Sequence, residues 1–412
     1  VIMSFDWQTE EESGWEDPAW QEKPTVAKPP KPRWWLLVVA LVLLVGAGVV
    51  VYRQVNRRID EATTAVESDI FAAHNVLSRA AAGQDADLGR AVLSGRDLGW
   101  SQTQTSLIEE GLFYQHPGLG LRLPEGEAAF APLFREDARF MDLVVAPDLS
   151  SAELSYARDF LALTDEGLET VTLQQTAVYR RGENRWLLAP PMEAFWGEWQ
   201  TEKIDNLTFI FPLRDEAVVR EMIPLLQTLL ADACDTVSEL DCTASMQIRF
   251  DTDPESLLET ADPTNLYNDN LRLDLPTPTL IGLPINNDGY EALRTAYGQN
   301  LVSALFGYSL GYRCCRHAPF YQAILTYQLS ELGLAEWPVT QEINARLASD
   351  GVHTDMLFPY WASQDFADVS DENSYYLFSF VDFLGQRNML PTALVESMER
   401  TRSFSSWLFN VG

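Results

Sequence analysis

The sequence predicts an α+β chain in which a single transmembrane helix precedes two further segments. Three observations predict it. Nineteen consecutive uncharged residues run from Trp34 to Tyr52 (WWLLVVALVLLVGAGVVVY). Beyond them, apolar residues at helical spacing give way to strand-like alternation between residues 139 and 189. From residue 201 onward a small strand-and-helix set passes into a long helical half.

At about 1.5 Å rise per residue, the apolar run nearly matches a hydrocarbon core of roughly 30 Å. Trp34, Trp35 and Tyr52 stand at its ends, where amphipathic rings favour the headgroup region. The run is too long for the core of a cleaved signal peptide, and no small-residue cleavage site follows it. Residues 1–33 hold seven acidic and four basic residues with Trp7, Trp15 and Trp20, then turn Pro-rich (KPTVAKPPKPR). That composition predicts a disordered acidic cytoplasmic tail, with the tryptophans as a docking segment or as plain unstructured leader.

Lys23, Lys28, Lys31 and Arg33 precede the run, and Arg53, Arg57 and Arg58 follow it, so basic residues orient it weakly. The short N-terminal side and the cysteines favour an inside N-terminus and extracytoplasmic C-terminal domains. Cys234 and Cys242 bracket a short loop (CDTVSELDC) that an oxidising compartment could close. Cys314 and Cys315 are adjacent and could form a strained ring, bond elsewhere or remain buried thiols.

A net charge of -31, from 29 basic and 60 acidic residues, excludes nucleic acid as a partner for the bulk of the chain. An apolar fraction of 46% is ample for two cores.

The first segment, 53–200, begins as one helix that continues out of the membrane to about Ala82, with Val55, Ile59, Ala62, Val66, Ile70 and Ala73 on one stripe. Helices near Asp85–Ser94 and Trp100–Gly111 follow. Strands are expected at Arg139–Ala146, Ala152–Leu163, Glu169–Arg180 and Arg185–Ala189, the last two joined by a turn at Gly182 and Asn184. The string VTLQQTAVYRRGENRWLLAPP resembles the closing hairpin of the cone-shaped nuclear-transport-factor-type fold, which implies a cone-like helix-then-antiparallel-sheet domain. Members of that fold often hold a pocket; His74 and His116 are the imidazoles on offer, neither with a partner at a telling spacing. Phe195, Trp196 and Trp199 read as a ligand-stacking wall or, more simply, a hydrophobic seam.

In the second segment, 201–412, strands are expected at Leu207–Phe211 and Met246–Phe250, and an amphipathic helix at Asp215–Cys234. Long helices follow near Tyr290–Leu310 and Pro319–Leu334, with more between residues 374 and 409. The strings LTFIFPLRDEAVVREMIPLL and SYYLFSFVDFLGQRNMLPTALVESMERTRSFSSWL resemble the peptidase MA-like family of gluzincin zinc proteases. That resemblance implies a mixed sheet plus helical domain with His-Glu-x-x-His on one helix and a glutamate ligand about twenty residues later. Here the first position reads Gln299-Asn300-Leu301-Val302-Ser303 and the second Gln322-Ala323-Ile324-Leu325-Thr326-Tyr327. Gln299, Asn300, Ser303 and Gln322 are poor zinc donors, so the motif is degenerate and the resemblance implies a catalytically dead scaffold.

Cys314, Cys315 and His317 could make a small zinc knot, although adjacent cysteines chelate one ion awkwardly and a packing or disulfide cluster is the simpler reading. Asp251, Asp253 and Glu255, and Asn268, Asp269 and Asn270, form oxygen-rich loops without the spacing of a calcium loop. Asn206-Leu207-Thr208 is a glycosylation sequon. No phosphate loop or nucleophile elbow occurs, and no cofactor is called for. The end at Asn410-Val411-Gly412 falls abruptly after a helical stretch, as in a fragment.

The function expected is that of a membrane-anchored extracytoplasmic binding or scaffold protein with a protein or peptide partner, not an enzyme. The alternative is an envelope hydrolase or peptidase with a non-standard site near His317 or His353; a structural tether is the third reading.

Overall fold

The computed structural model describes residues 34–237, 240–262, 266, 270–312, 317–350, 361 and 372–386. The chain divides into two compact units, residues 1–61 and 62–412.

Helix α1 runs unbroken for 50 residues, Trp34–Gly83. Here the expectation of a single transmembrane helix at 34–52 is corrected: among the described residues no helix is long and apolar enough to cross a membrane. The expected continuation of that helix past Arg53 to about Ala82 is present, since α1 reaches Gly83. Tyr52 is exposed, while the side chains of Trp34 and Trp35 lie outside the described residues.

The second unit is α+β, with two sheets. Helices α2 (Ala86–Arg90) and α3 (Leu98–Glu109) come first, each capped by an aspartate side chain that accepts from a first-turn backbone N–H, Asp85 from Leu88 and Asp97 from Trp100. Four strands follow: β1 (Phe140–Val145), β2 (Ser151–Thr164), β3 (Gly167–Arg181) and β4 (Trp186–Leu188). They pair antiparallel in chain order, and β2 and β3 stay in register from Ser151↔Arg180 to Thr164↔Gly167. One face of this sheet, carrying Leu154, Tyr156 and Tyr179, closes on Val66, Ile70 and Leu77 of α1.

The four-residue helix α4 (Glu193–Trp196) leads into the second sheet: β5 (Trp199–Ile204), β6 (Leu207–Pro212), β7 (Met246–Asp251) and β8 (Arg272–Pro276). Strands β5 and β6 make a hairpin, whereas β6–β7 and β7–β8 are parallel. Parallel neighbours need crossovers, supplied by α5 (Glu216–Thr236) and α6 (Glu255–Ala261). A short helix, α7 (Pro278–Ile281), then returns the chain to the first sheet, where β9 (Leu283–Pro284) pairs with β3 at Leu173 and Gln174.

Helices α8 (Asn287–Leu310), α9 (Ala318–Glu331) and α10 (Gln341–Asp350), with a further helix at Glu372–Gln386, complete the described chain. Helix α8 is buried nearly all round, as expected of a central helix. Gly298 lets it approach α5 closely: a Cβ there would sit 2.1 Å from Leu229 Cδ2. One apolar cluster joins Phe160 and Leu173 of the first sheet to Phe209 and Ile248 of the second, and to Leu226, Tyr297, Leu301 and Ile324 of the helices.

Candidate functional site

Three end features set the helices that carry the degenerate motif. The Asn286 side chain accepts from Gly289 N at the start of α8, and Gly311 ends it in the left-handed region. Pro319 sits in the first turn of α9, where its missing N–H costs nothing. Between these helices, Gln299 and Gln322 line one cavity of about 670 Å³. The structure thus brings together residues from both motif positions.

The cavity walls are apolar. Leu161 and Leu163 of β2, Leu119, and Leu325 and Leu329 of α9 supply most of them. Its polar groups are neutral amides and hydroxyls, Thr295 and Thr326 beside the two glutamines. Only Arg122 and Glu336 among the lining residues carry charge, and both are exposed. An apolar recess of this size with a few convergent polar groups is the form of a ligand site.

The other motif residues are turned into packing. Asn300 is buried and its amide donates to Ala296 O at 2.9 Å, one helical turn back. Ser303 is fully buried, with a hydroxyl that has no hydrogen-bond partner among the described residues. Zinc does not fit this donor set: amides and an unactivated hydroxyl replace imidazole and carboxylate. Among the described residues no group of three His, Cys, Asp or Glu could hold a metal ion.

Cys234 and Cys242 form a disulfide with Cα atoms 6.2 Å apart. Asn206 of the sequon donates to the carbonyls of Cys242 and Ala244, which pins the loop. Cys314, Cys315 and His353 lie outside the described residues, and His317 stands just before α9 at φ 55°. The oxygen-rich loop at 251–255 is occupied by its own backbone: Asp251 accepts from Asp253 N and Asp253 from Glu255 N. Asn270 caps β8 by accepting from Arg272 N, and Asn268 and Asp269 lie outside the described residues.

In the first sheet, the two imidazoles acquire surroundings that spacing did not show. Nδ1 of His74 lies 2.8 Å from the Tyr179 hydroxyl. Burial, then the charges of Arg158 and Arg139, hold its pKa down to about 3. His116 stacks on Phe160 and is held at about 4 by burial and by Arg158. Both are therefore neutral near pH 7 and poor proton acceptors. Phe195 carries the Arg214 guanidinium 3.7 Å over its ring, and Arg214 pairs with Glu153 of β2. Phe195 and Trp196 also border a small cavity with Trp100 and Phe113.

No protein-family profile matches the chain, and no curated protein and no solved structure matches it.

Proposed function

We propose that this chain is a non-catalytic binding protein built on a metallopeptidase-like frame, with its ligand in the cavity between α8 and α9. One observation carries the reading: Gln299 and Gln322, at the positions where the gluzincin resemblance puts zinc ligands, line one large apolar cavity. Neutral amides can orient a ligand through hydrogen bonds but cannot activate water without a metal or a base. Leucine walls suit the apolar side chains of a peptide or protein segment, which two glutamines can bind through its backbone groups. The Cys234–Cys242 disulfide supports folding in an oxidising, extracytoplasmic compartment.

Titration with an anilinonaphthalene sulfonate probe, followed by displacement with trileucine, tests this. The reading expects one saturable site in the full chain, emptied by trileucine and weakened in Gln299→Trp, whose indole would take up part of the cavity and remove one of its two amides. A folded protein that takes up no probe, or whose Gln299→Trp variant binds unchanged, would sink it.

A further inference from the structure

Arg158 projects from β2 into the interior beneath the first sheet, and it is 7% exposed. Its guanidinium lies 3.6 Å from the centroid of the Tyr114 ring, and one Nη donates to Ala129 O at 2.8 Å. The buried Nε has no acceptor, and no carboxylate stands within ion-pair distance among the described residues. A buried guanidinium stays charged, and a buried charge without a partner is strongly unfavourable. In a chain with 60 acidic residues against 29 basic ones, a missing counter-ion at an interior arginine calls for a cause.

A cavity of about 120 Å³ adjoins the guanidinium, lined also by His74, Ser78, Tyr156 and Arg139. Arg139 is already engaged: it pairs with Asp137 and donates to Ala131 O and Pro132 O. Ser78 shares a hydrogen bond of 3.2 Å with the Tyr114 hydroxyl and so borders the space with a second polar group. Two exposed carboxylates stand at the cavity, Glu125 and Asp159, and Asp159 accepts from Thr172 Oγ1. Neither reaches Arg158.

We propose that this cavity binds a small monocarboxylate, which supplies the counter-charge that the Arg158 guanidinium lacks. The fork of a guanidinium matches a carboxylate in shape. The Arg158 guanidinium, with no carboxylate at ion-pair distance among the described residues, balances one negative charge, and the carboxylates of Glu125 and Asp159 on the same cavity disfavour a dianion. The volume is below the roughly 150 Å³ that takes benzene, so the ligand has about four or five heavy atoms, the size of acetate or propionate. The site is separate from the cavity between α8 and α9 and stands whether or not that cavity binds a peptide.

Histidine ring resonances of the full chain, followed during titration with sodium acetate and with sodium chloride at equal ionic strength, test the assignment. His74 lines the cavity and serves as the reporter, identified by its absence in His74→Gln. The expected result is a saturable His74 shift with acetate, absent with chloride. In Arg158→Lys, which keeps the charge and loses the fork, the acetate isotherm should weaken by about tenfold. In folded Arg158→Met it should vanish. No saturable shift in the parent protein, an equal response to chloride, or an isotherm unchanged in Arg158→Lys would each overturn the proposal. Because the Lys variant decides the matter, a failure of Arg158→Met to fold does not.

Discussion

His74 Nδ1 and the Tyr179 hydroxyl are 2.8 Å apart, joining α1 to β3 inside a region closed to solvent. The pair holds an imidazole that cannot take a proton without breaking its surroundings. His116, stacked on Phe160, is likewise kept neutral by burial and by the charge of Arg158.

A pH dependence of stability follows. The folded pKa of His74 is lowered from 6.5 to about 3 and that of His116 to about 4, so between each value and 6.5 the unfolded chain binds a proton that the folded chain does not. Stability from these groups is fully present above 6.5 and is lost as pH falls through that window. By about pH 5 each should have cost about 2 kcal/mol. Urea unfolding at neutral and mildly acid pH checks this. His74→Gln and His116→Gln should each flatten the acid slope, and an unchanged slope in both would contradict it.

Asp215 is sealed at the start of α5, where it accepts from Thr279 Oγ1 at 2.5 Å and from Thr277 Oγ1. The two threonines flank the start of α7, so one carboxylate ties the beginning of α5 to the chain leaving β8. Burial raises its pKa, against the pull of the two hydroxyls and Arg214. Replacing it by alanine leaves two buried hydroxyls without acceptors. Asp215→Ala should destabilise by about 3 kcal/mol, and adding Thr277→Val and Thr279→Val should restore part of it, as measured by thermal unfolding. A loss below about 1 kcal/mol would mean the tie is dispensable.

The Cys234–Cys242 link closes a loop of sequence separation 8 at the end of α5. Loop-closure entropy for so short a loop is worth about 2.5 kcal/mol. Reductant, or Cys234→Ser with Cys242→Ser, should lower the urea midpoint accordingly. No difference between oxidised and reduced protein would show that the link adds nothing.

Gly118 lies in a short 3-10 turn (Pro117–Leu119) that forms part of the cavity wall. A Cβ there would stand 1.6 Å from the Thr260 carbonyl oxygen of α6, which is backbone and cannot swing aside. Gly118→Ala should cost about 2 kcal/mol or more and weaken probe binding together with stability. Full stability in the variant would show that the turn shifts freely.

Much of the architecture was legible in particular residues. Alternation placed β2 at Ala152–Leu163, and the strand runs Ser151–Thr164; the turn residues Gly182 and Asn184 marked the β3–β4 hairpin. The apolar stripe of α5 and the long helices near Tyr290–Leu310 and Pro319–Leu334 were equally clear. Strand β5 was not, because it is an edge strand whose residues, WQTEKI, are all exposed or half-buried. Helix α6 hid inside an acidic loop, with seven residues and no side-chain cap. The continuation of the helix from the apolar run to about Ala82 was legible in its stripe, and α1 runs Trp34–Gly83; the reading of residues 34–52 as a membrane span is the one overturned, since among the described residues no helix is long and apolar enough to cross a membrane. The two glutamines could be placed opposite each other only through a resemblance. The pocket beside Arg158 draws on Ser78, Ala129 and β2, which no local pattern connects.

The most direct measurement is a zinc titration of the full chain beside a variant carrying Gln299→His, Asn300→Glu, Ser303→His and Gln322→Glu. If α8 and α9 keep a metallopeptidase frame emptied of its ligands, the parent protein takes up no zinc and the folded variant binds about one ion per chain, since i and i+4 imidazoles with a facing carboxylate complete a zinc site. Stoichiometric zinc in the parent protein, or none in a folded variant, would contradict it.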